Sequence, residues 1–210
     1  MKKITHKIII SLCLLINISA ILSCSKETPL LPLESNATIL AFGDSLTYGT
    51  GTSRDKAYPA VLEKITGLKV INAGIPGEIS AAGLTRLPSL LREHQPDLII
   101  ICHGGNDVLR HMNLNQTRNN IQTMITLTQA YNTQIILIGV PEFGLFLDTL
   151  SLYSELAESN HIPIAEDILG DILAKNTLKS DHIHPNAKGY KLLAERIVVV
   201  LQQSGALSRE

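Results

Sequence analysis

Two periodicities alternate along this chain. Continuous apolar runs rich in β-branched residues lie at Thr38–Phe42, Leu68–Ala73, Leu98–Cys102 and Ile135–Val140, with a weaker one at Ile162–Ala165. Runs of this kind, bounded by Gly or Pro, suit strands buried on both faces of a parallel sheet. Between them, apolar residues recur every three or four positions. Leu84, Leu87 and Leu91 form one stripe, and Ile121, Met124, Ile125 and Thr128 a second. Leu152, Leu156 and Ala157 form a third, and Leu193, Ala194, Ile197, Val198 and Leu201 a fourth. Each stripe predicts a helix with one face on the core. Pro88 lies inside the first stripe and is expected to kink or restart that helix, because proline lacks the N–H of the helical ladder. The alternation predicts the α/β class, as a three-layer α/β/α sandwich. Its flavodoxin-like open sheet has about five parallel strands with helices on both faces. Such sheets bind ligands beyond the carboxyl ends of their strands, so the loops there are the places to look for chemistry.

The first residues have another pattern. Lys2, Lys3 and Lys7 precede an apolar run from Ile8 to Leu22 that ends in Ile21-Leu22-Ser23-Cys24. The run is short for a membrane span and has the layout of an export signal. It resembles a bacterial lipoprotein signal, which implies cleavage before Cys24 and a lipid anchor on that residue. Residues 1–23 are therefore expected to be a signal peptide. Residues 24–36, with Pro29 and Pro32, are expected to form a tether, and residues 37–210 the domain. Ser25 and Lys26 follow the cysteine where an Asp often marks inner-membrane retention. The expectation is an exported, periplasm-facing lipoprotein at the outer membrane. An ordinary cleaved signal or an uncleaved anchor would export the chain equally.

Composition narrows the classes. The 210 residues are 45% hydrophobic and 18% charged, enough apolar material for one core. Aromatic residues make up 4% with no Trp, and the net charge is −1, which argues against a nucleic-acid partner. Without residues 1–23 the chain keeps fifteen basic and nineteen acidic residues, a charge of −4. Cys13 would leave with the signal and Cys24 would be acylated, so Cys102 is expected to be a buried, structural thiol. A monomer is the default.

The loops after the runs carry the candidate chemistry. Gly43-Asp44-Ser45-Leu46 follows the first, Gly74-Ile75-Pro76-Gly77 the second, and Gly104-Gly105-Asn106-Asp107 the third. Asp181-His182-Ile183-His184-Pro185-Asn186 precedes the last helix. Acyl transfer needs a hydroxyl, a base within hydrogen-bond reach, a group that orients the base, and donors for an oxyanion. Ser45 offers the hydroxyl and its own N–H, His184 an imidazole, and Asp181 a carboxylate three residues before it. Gly77 can bring its N–H close to a ligand, and Asn106 can donate from its amide. Singly, each block has a plainer reading: Asp44 or Ser45 as a helix cap, Gly104 to Asn106 as a turn, and Asn186 as the cap of the last helix. Their order along one predicted edge favours the chemical reading.

With those four blocks the chain resembles the SGNH, or GDSL-type, hydrolases, and within them the bacterial thioesterase I, lysophospholipase and arylesterase group. The resemblance runs from about Thr38 to the last helix. It implies a serine esterase acting on acyl esters or thioesters, lysophospholipids included, with no cofactor and no metal. It also implies Ser45 as nucleophile, Asp181 and His184 as its partners, and Ser45, Gly77 and Asn106 as the oxyanion donors. Gly74 is a rival for the second donor. His182 departs from the family pattern and is expected at the solvent or substrate rim. Of the remaining histidines, His103 could line the cleft, although a structural role is expected. Ile75, Pro76, Leu109, Phe143 to Phe146, and Tyr153 are candidates for an apolar wall.

Neither the Gly-x-Ser-x-Gly elbow of the α/β-hydrolases nor a Gly-Lys-Ser/Thr phosphate loop is present. Three further readings stay open at this point. They are an acetylesterase acting on glycans, a non-catalytic glycan- or lipid-binding lipoprotein, and a metallophosphoesterase using Asp44, Asn106, Asp107, His182 and His184.

Overall fold

The computed structural model describes residues 29–142 and 147–208. The expected signal peptide, Cys24 and Phe143 to Phe146 lie outside them.

The elements run β1 (Thr38–Gly43), α1 (Ser45–Tyr48), α2 (Tyr58–Thr66), β2 (Lys69–Gly74), α3 (Ser80–His94), β3 (Leu98–Cys102) and α4 (Gly105–Leu109). They continue with α5 (Leu114–Ala130), β4 (Gln134–Ile138), α6 (Ser151–Asn160), β5 (Ile164–Ala165), α7 (Ile168–Leu173) and α8 (Ala187–Gln203). The five strands form one parallel sheet in the order β2-β1-β3-β4-β5.

Period-two side-chain alternation divides the core into two layers. Ile39, Ala41, Ile100, Ile136 and Ile138 point to one face, where Tyr58 and Leu62 of α2, Leu169 and Ile172 of α7, and Leu193 and Ile197 of α8 cover them. Leu40, Phe42, Ile99, Ile101, Ile135 and Leu137 point to the other, under Leu87 and Leu91 of α3, Ile121 and Ile125 of α5, and Leu156 of α6. Each of the buried Leu, Ile and Phe side chains among these contributes about 1.5–3 kcal/mol relative to exposure. Helices therefore lie on both faces; the central strand β3 is apolar and buried throughout, whereas the edge strand β2 carries Lys69 and Asn72 and is only partly covered.

Two helices of six or more residues escaped the sequence pattern. In α2 only Tyr58, Pro59 and Leu62 are buried, too short a stripe to read. In α7 nearly every residue is buried, so no polar face marks its period. Pro88 neither breaks nor restarts α3, which runs unbroken from Ser80 to His94. Leu87 and Leu91 on either side are fully buried, and that packing holds the helix through the missing hydrogen bond.

Part of the segment read as a tether, from Leu30 to Leu33, is bound to the domain. The Leu30 N–H donates to Ser204 O at 2.7 Å, and the Leu33 N–H to Ala206 O at 2.9 Å. Gln134 binds both backbone groups of Leu31, at 2.6 and 3.1 Å. Leu30 and Leu33 pack on the core layer beside Leu201 and Ala206.

Candidate active site

Gly43, Gly74 and Cys102 end β1, β2 and β3 side by side, so the loops after them share one edge. Gly74 is required there by close approach, since a Cβ would stand 2.1 Å from the Tyr48 nitrogen. Asp44 caps α1, its Oδ1 accepting from the Leu46 N–H at 3.0 Å. The capping reading of this loop therefore holds, and the cap fixes the turn that presents Ser45.

His184 reaches the same point from the far end of the chain. Its Nε2 lies 3.0 Å from Ser45 Oγ, and its Nδ1 2.8 Å from Asp181 Oδ2. Asp181 Oδ1 also accepts the Ile183 and His184 N–H groups at 2.9 and 2.8 Å. This turn locks the carboxylate to the imidazole three residues on. Desolvation alone would raise the Asp181 carboxyl, but the Ile183 N–H, the His184 ring and the His184 N–H outweigh it and hold it below the usual range. An ionised Asp181 accepts the Nδ1 proton, which leaves the Nε2 lone pair for the Ser45 hydroxyl. The loop is fixed on both sides. Ser180 N–H donates to His184 O at 2.9 Å, and Asn186, the expected cap of the last helix, accepts from the Lys188 and Gly189 N–H groups.

Asn106, near the start of α4, donates from Nδ2 to Asp44 Oδ2 and to Glu78 O, both at 3.1 Å. Gly77 has φ +76°, and a Cβ there would meet only Arg110, at 3.8 Å. Arg110 itself donates to Gly77 O at 2.9 Å. The Gly74 N–H is engaged by Asn72 Oδ1 at 3.0 Å, whereas among the described residues no acceptor holds the N–H of Ser45 or Gly77. A shallow depression of about 10 Å³ is lined by Ser45, Asn106 and His184, with Leu46, Leu109 and Ile183 on its apolar side.

Behind this surface stands an ionic cluster that the sequence did not reveal. Arg86 of α3 clasps Glu78 with Nε at 2.8 and 3.0 Å and Nη2 at 2.6 Å. The same Nη2 donates to Ala73 O at 2.8 Å and Gly43 O at 3.2 Å, the last turns of β2 and β1. His103, fully buried, places Nε2 3.1 Å from Glu78 Oε2. Its Nδ1 accepts the Gly104 N–H, so Nε2 carries the proton and donates. Partial burial opposes ionisation of Glu78, but the His103 and Arg86 hydrogen bonds and the Arg86 charge bring its pKa down to about 2 from 4.5. Burial raises the Asp44 carboxyl above its usual range, against the pull of His103, the Leu46 N–H, His184 and Asn106. Asp107 is a second buried anchor, accepting from the Ser80 N–H at 2.8 Å and the Ser80 hydroxyl at 2.5 Å. Nothing in the local sequence marks Glu78 or Arg86; their partners are distant in the chain and meet only in the fold.

One expectation changes. Tyr153 is no part of a wall: it is fully buried, and its hydroxyl donates to His103 O at 2.8 Å. His103 lies beneath the cleft rather than along it. His182 is exposed, in an open hollow with Asn176, Lys179, Ser180 and Asp181. Cys102 is buried and free, as expected of a structural thiol. Among the described residues no group of three or more His, Cys, Asp or Glu side chains is placed to hold a metal ion. Nor is any helix among them long and apolar enough to cross a membrane.

Comparison with known proteins decides the family. Residues 41–192 match the GDSL-like lipase/acylhydrolase family. The chain belongs to that family. It is 31% identical over 173 residues to the thioesterase 1/protease 1/lysophospholipase L1 of Escherichia coli (strain K12), covering 79% of this chain and 83% of that protein. The arylesterase of Vibrio mimicus is 30% identical over 176 residues, covering 77% of this chain and 86% of its own. Among solved structures, the psychrotrophic esterase EstA of a Pseudoalteromonas species, inhibited by monoethylphosphonate, superposes with a TM-score of 0.72 at 26% identity. That match spans 80% of this chain and 98% of EstA. As a member of this GDSL-like family, the chain is a carboxylic ester hydrolase.

Proposed function

We propose that the chain hydrolyses acyl esters and thioesters through an acyl-enzyme on Ser45. The observation that carries this reading is the unbroken line of contacts from Asp181 through His184 to the Ser45 hydroxyl, 2.8 and 3.0 Å long. Ser45 Oγ attacks the carbonyl carbon as His184 Nε2 takes its proton, and the carbonyl π electrons move to oxygen. Asp181 holds the ring in the required tautomer and stabilises the imidazolium. The Ser45 and Gly77 N–H groups receive the oxyanion, and the Asn106 amide joins them by sharing a hydrogen now held by Glu78 O or Asp44. Collapse of the tetrahedral adduct breaks the bond to the leaving alcohol or thiol, which takes the proton from His184. Water then repeats the sequence: it loses a proton to His184, attacks the acyl carbon, and its adduct expels Ser45 Oγ, which recovers that proton. No step calls on a cofactor.

Arylesters, thioesters and lysophospholipids are the substrate classes to test, after the names of the relatives. Leu46, Leu109 and Ile183 supply the apolar wall for the acyl group. We further propose residues 1–23 as a lipoprotein signal, Cys24 as the acylated anchor, the outer membrane as the location, and a monomer as the working form. The test is a p-nitrophenyl ester series from acetate to long chains, with acyl-coenzyme A and lysophosphatidylcholine alongside. Turnover that disappears in Ser45→Ala supports the reading, and turnover unaffected by that change overturns it.

A further inference from the structure

The docked strap before β1 and the candidate site lie at opposite ends of the sheet. Ser204 and Ala206, which bind Leu30 and Leu33, follow the end of α8, and Gln134, which binds Leu31, opens β4. These positions belong to the amino edge of the strands. Ser45, Asn106 and His184 belong to the carboxyl edge. The 17 residues of α8 run between the two edges, about 25 Å at ~1.5 Å per residue. A compact domain of this length is about 40 Å across.

Chain length sets how far the strap can stand from a lipid on Cys24. Six peptide steps separate Cys24 from Leu30, and a fully extended chain covers at most about 20–22 Å in that number. Turning the mouth of the site onto the lipid surface would lift Leu30 farther from that surface than the segment reaches. A sideways pose fits the tether; a mouth-down pose does not.

We infer that the Leu30–Leu33 strap keeps the mouth of the site off the membrane that carries the protein and leaves Ser45 open to the aqueous side. The enzyme therefore takes acyl esters that arrive through the aqueous phase, and not lipids of its own bilayer. This inference rests on the proposed acylation of Cys24 and on the esterase reading of Ser45.

The test uses the full lipidated chain in phosphatidylcholine vesicles. Soluble umbelliferyl butyrate reports on the site itself. The same ester, joined by a short link to a dialkyl lipid in the same vesicles, reports on access to the carrying bilayer. A variant with twenty Gly/Ser residues inserted between Lys26 and Glu27 lengthens the tether by ~25 Å on average. The expected result is equal turnover of the soluble ester in both forms, and at least a tenfold gain on the bilayer-borne ester after insertion. Equal rates on the bilayer-borne ester in both forms overturn the orientation. Intact mass of the membrane-extracted chain without acyl groups on Cys24 overturns the anchor beneath it. No turnover of the soluble ester in either form overturns the esterase reading instead.

Discussion

Replacing Glu78 by Gln tests whether the ionic cluster supports the loop that carries Gly77. The Glu78 side chain is 7% exposed and Arg86 20%, while His103 is fully buried. Gln keeps the size and an acceptor but removes the charge that satisfies Arg86 and His103. A carboxyl brought from 4.5 to about 2 by the folded state stabilises that state by about 3 kcal/mol at neutral pH. In a domain of this length such a loss lowers Tm by roughly 6–12 °C. The sign follows from proton binding. Glu78 is ionised in folded and unfolded chains at pH 7, and the contribution is then fully present. As pH falls below about 4.5 the unfolded chain binds the proton first, and stability drains away until the folded carboxyl also titrates near 2. The gap in Tm between wild type and Glu78→Gln therefore closes between those two values. Loosening the loop should also lower kcat about tenfold, less than the 10²–10³ expected when an oxyanion donor is removed outright. Melting curves by circular dichroism from pH 7 to 2.5, with ester kinetics at pH 7, give the answer. A Tm within 1 °C of wild type at pH 7, or a gap that persists unchanged at pH 2.5, refutes the reasoning.

Asp181→Asn should leave Tm nearly unchanged, because the side chain is half exposed. It should lower kcat by about 10²–10⁴ through the wrong histidine tautomer; initial rates on a p-nitrophenyl ester read this out. Asn106→Ala should cost about 10²–10³ in kcat with little change in KM, and an equal loss in both parameters would speak for a purely structural amide. Gly83→Ala adds a Cβ 2.2 Å from His103 Nε2. Although alanine is the better helix former by about 1 kcal/mol, overpacking against the buried ring should win and lower stability by a net ~1–2 kcal/mol in urea unfolding.

The strands and the four loops were legible because their signals are local: uninterrupted Ile and Leu runs, and Gly-rich or His-bearing turns after them. The proximity of Ser45 to His184 was legible only as a consequence of topology, since parallel strands bring every carboxyl end to one edge. Elements without local contrast were not legible. All-round burial hid α7, and a buried stripe of only Tyr58, Pro59 and Leu62 was too short to announce α2. The cluster of Glu78, Arg86 and His103 was not legible because its partners lie up to 43 residues apart. Tyr153 looked like a cleft aromatic for the same reason. Its hydroxyl finds a carbonyl 50 positions back, inside the core.

The most direct test of the account is covalent. The purified chain, treated with a fluorophosphonate and examined by intact mass and peptide mapping, should carry one adduct, on Ser45, and lose ester hydrolysis in proportion. His184→Ala should slow that labelling by several orders of magnitude without unfolding the domain. An unlabelled Ser45 in an active preparation, or an adduct on another residue that accounts for the lost activity, would contradict the account.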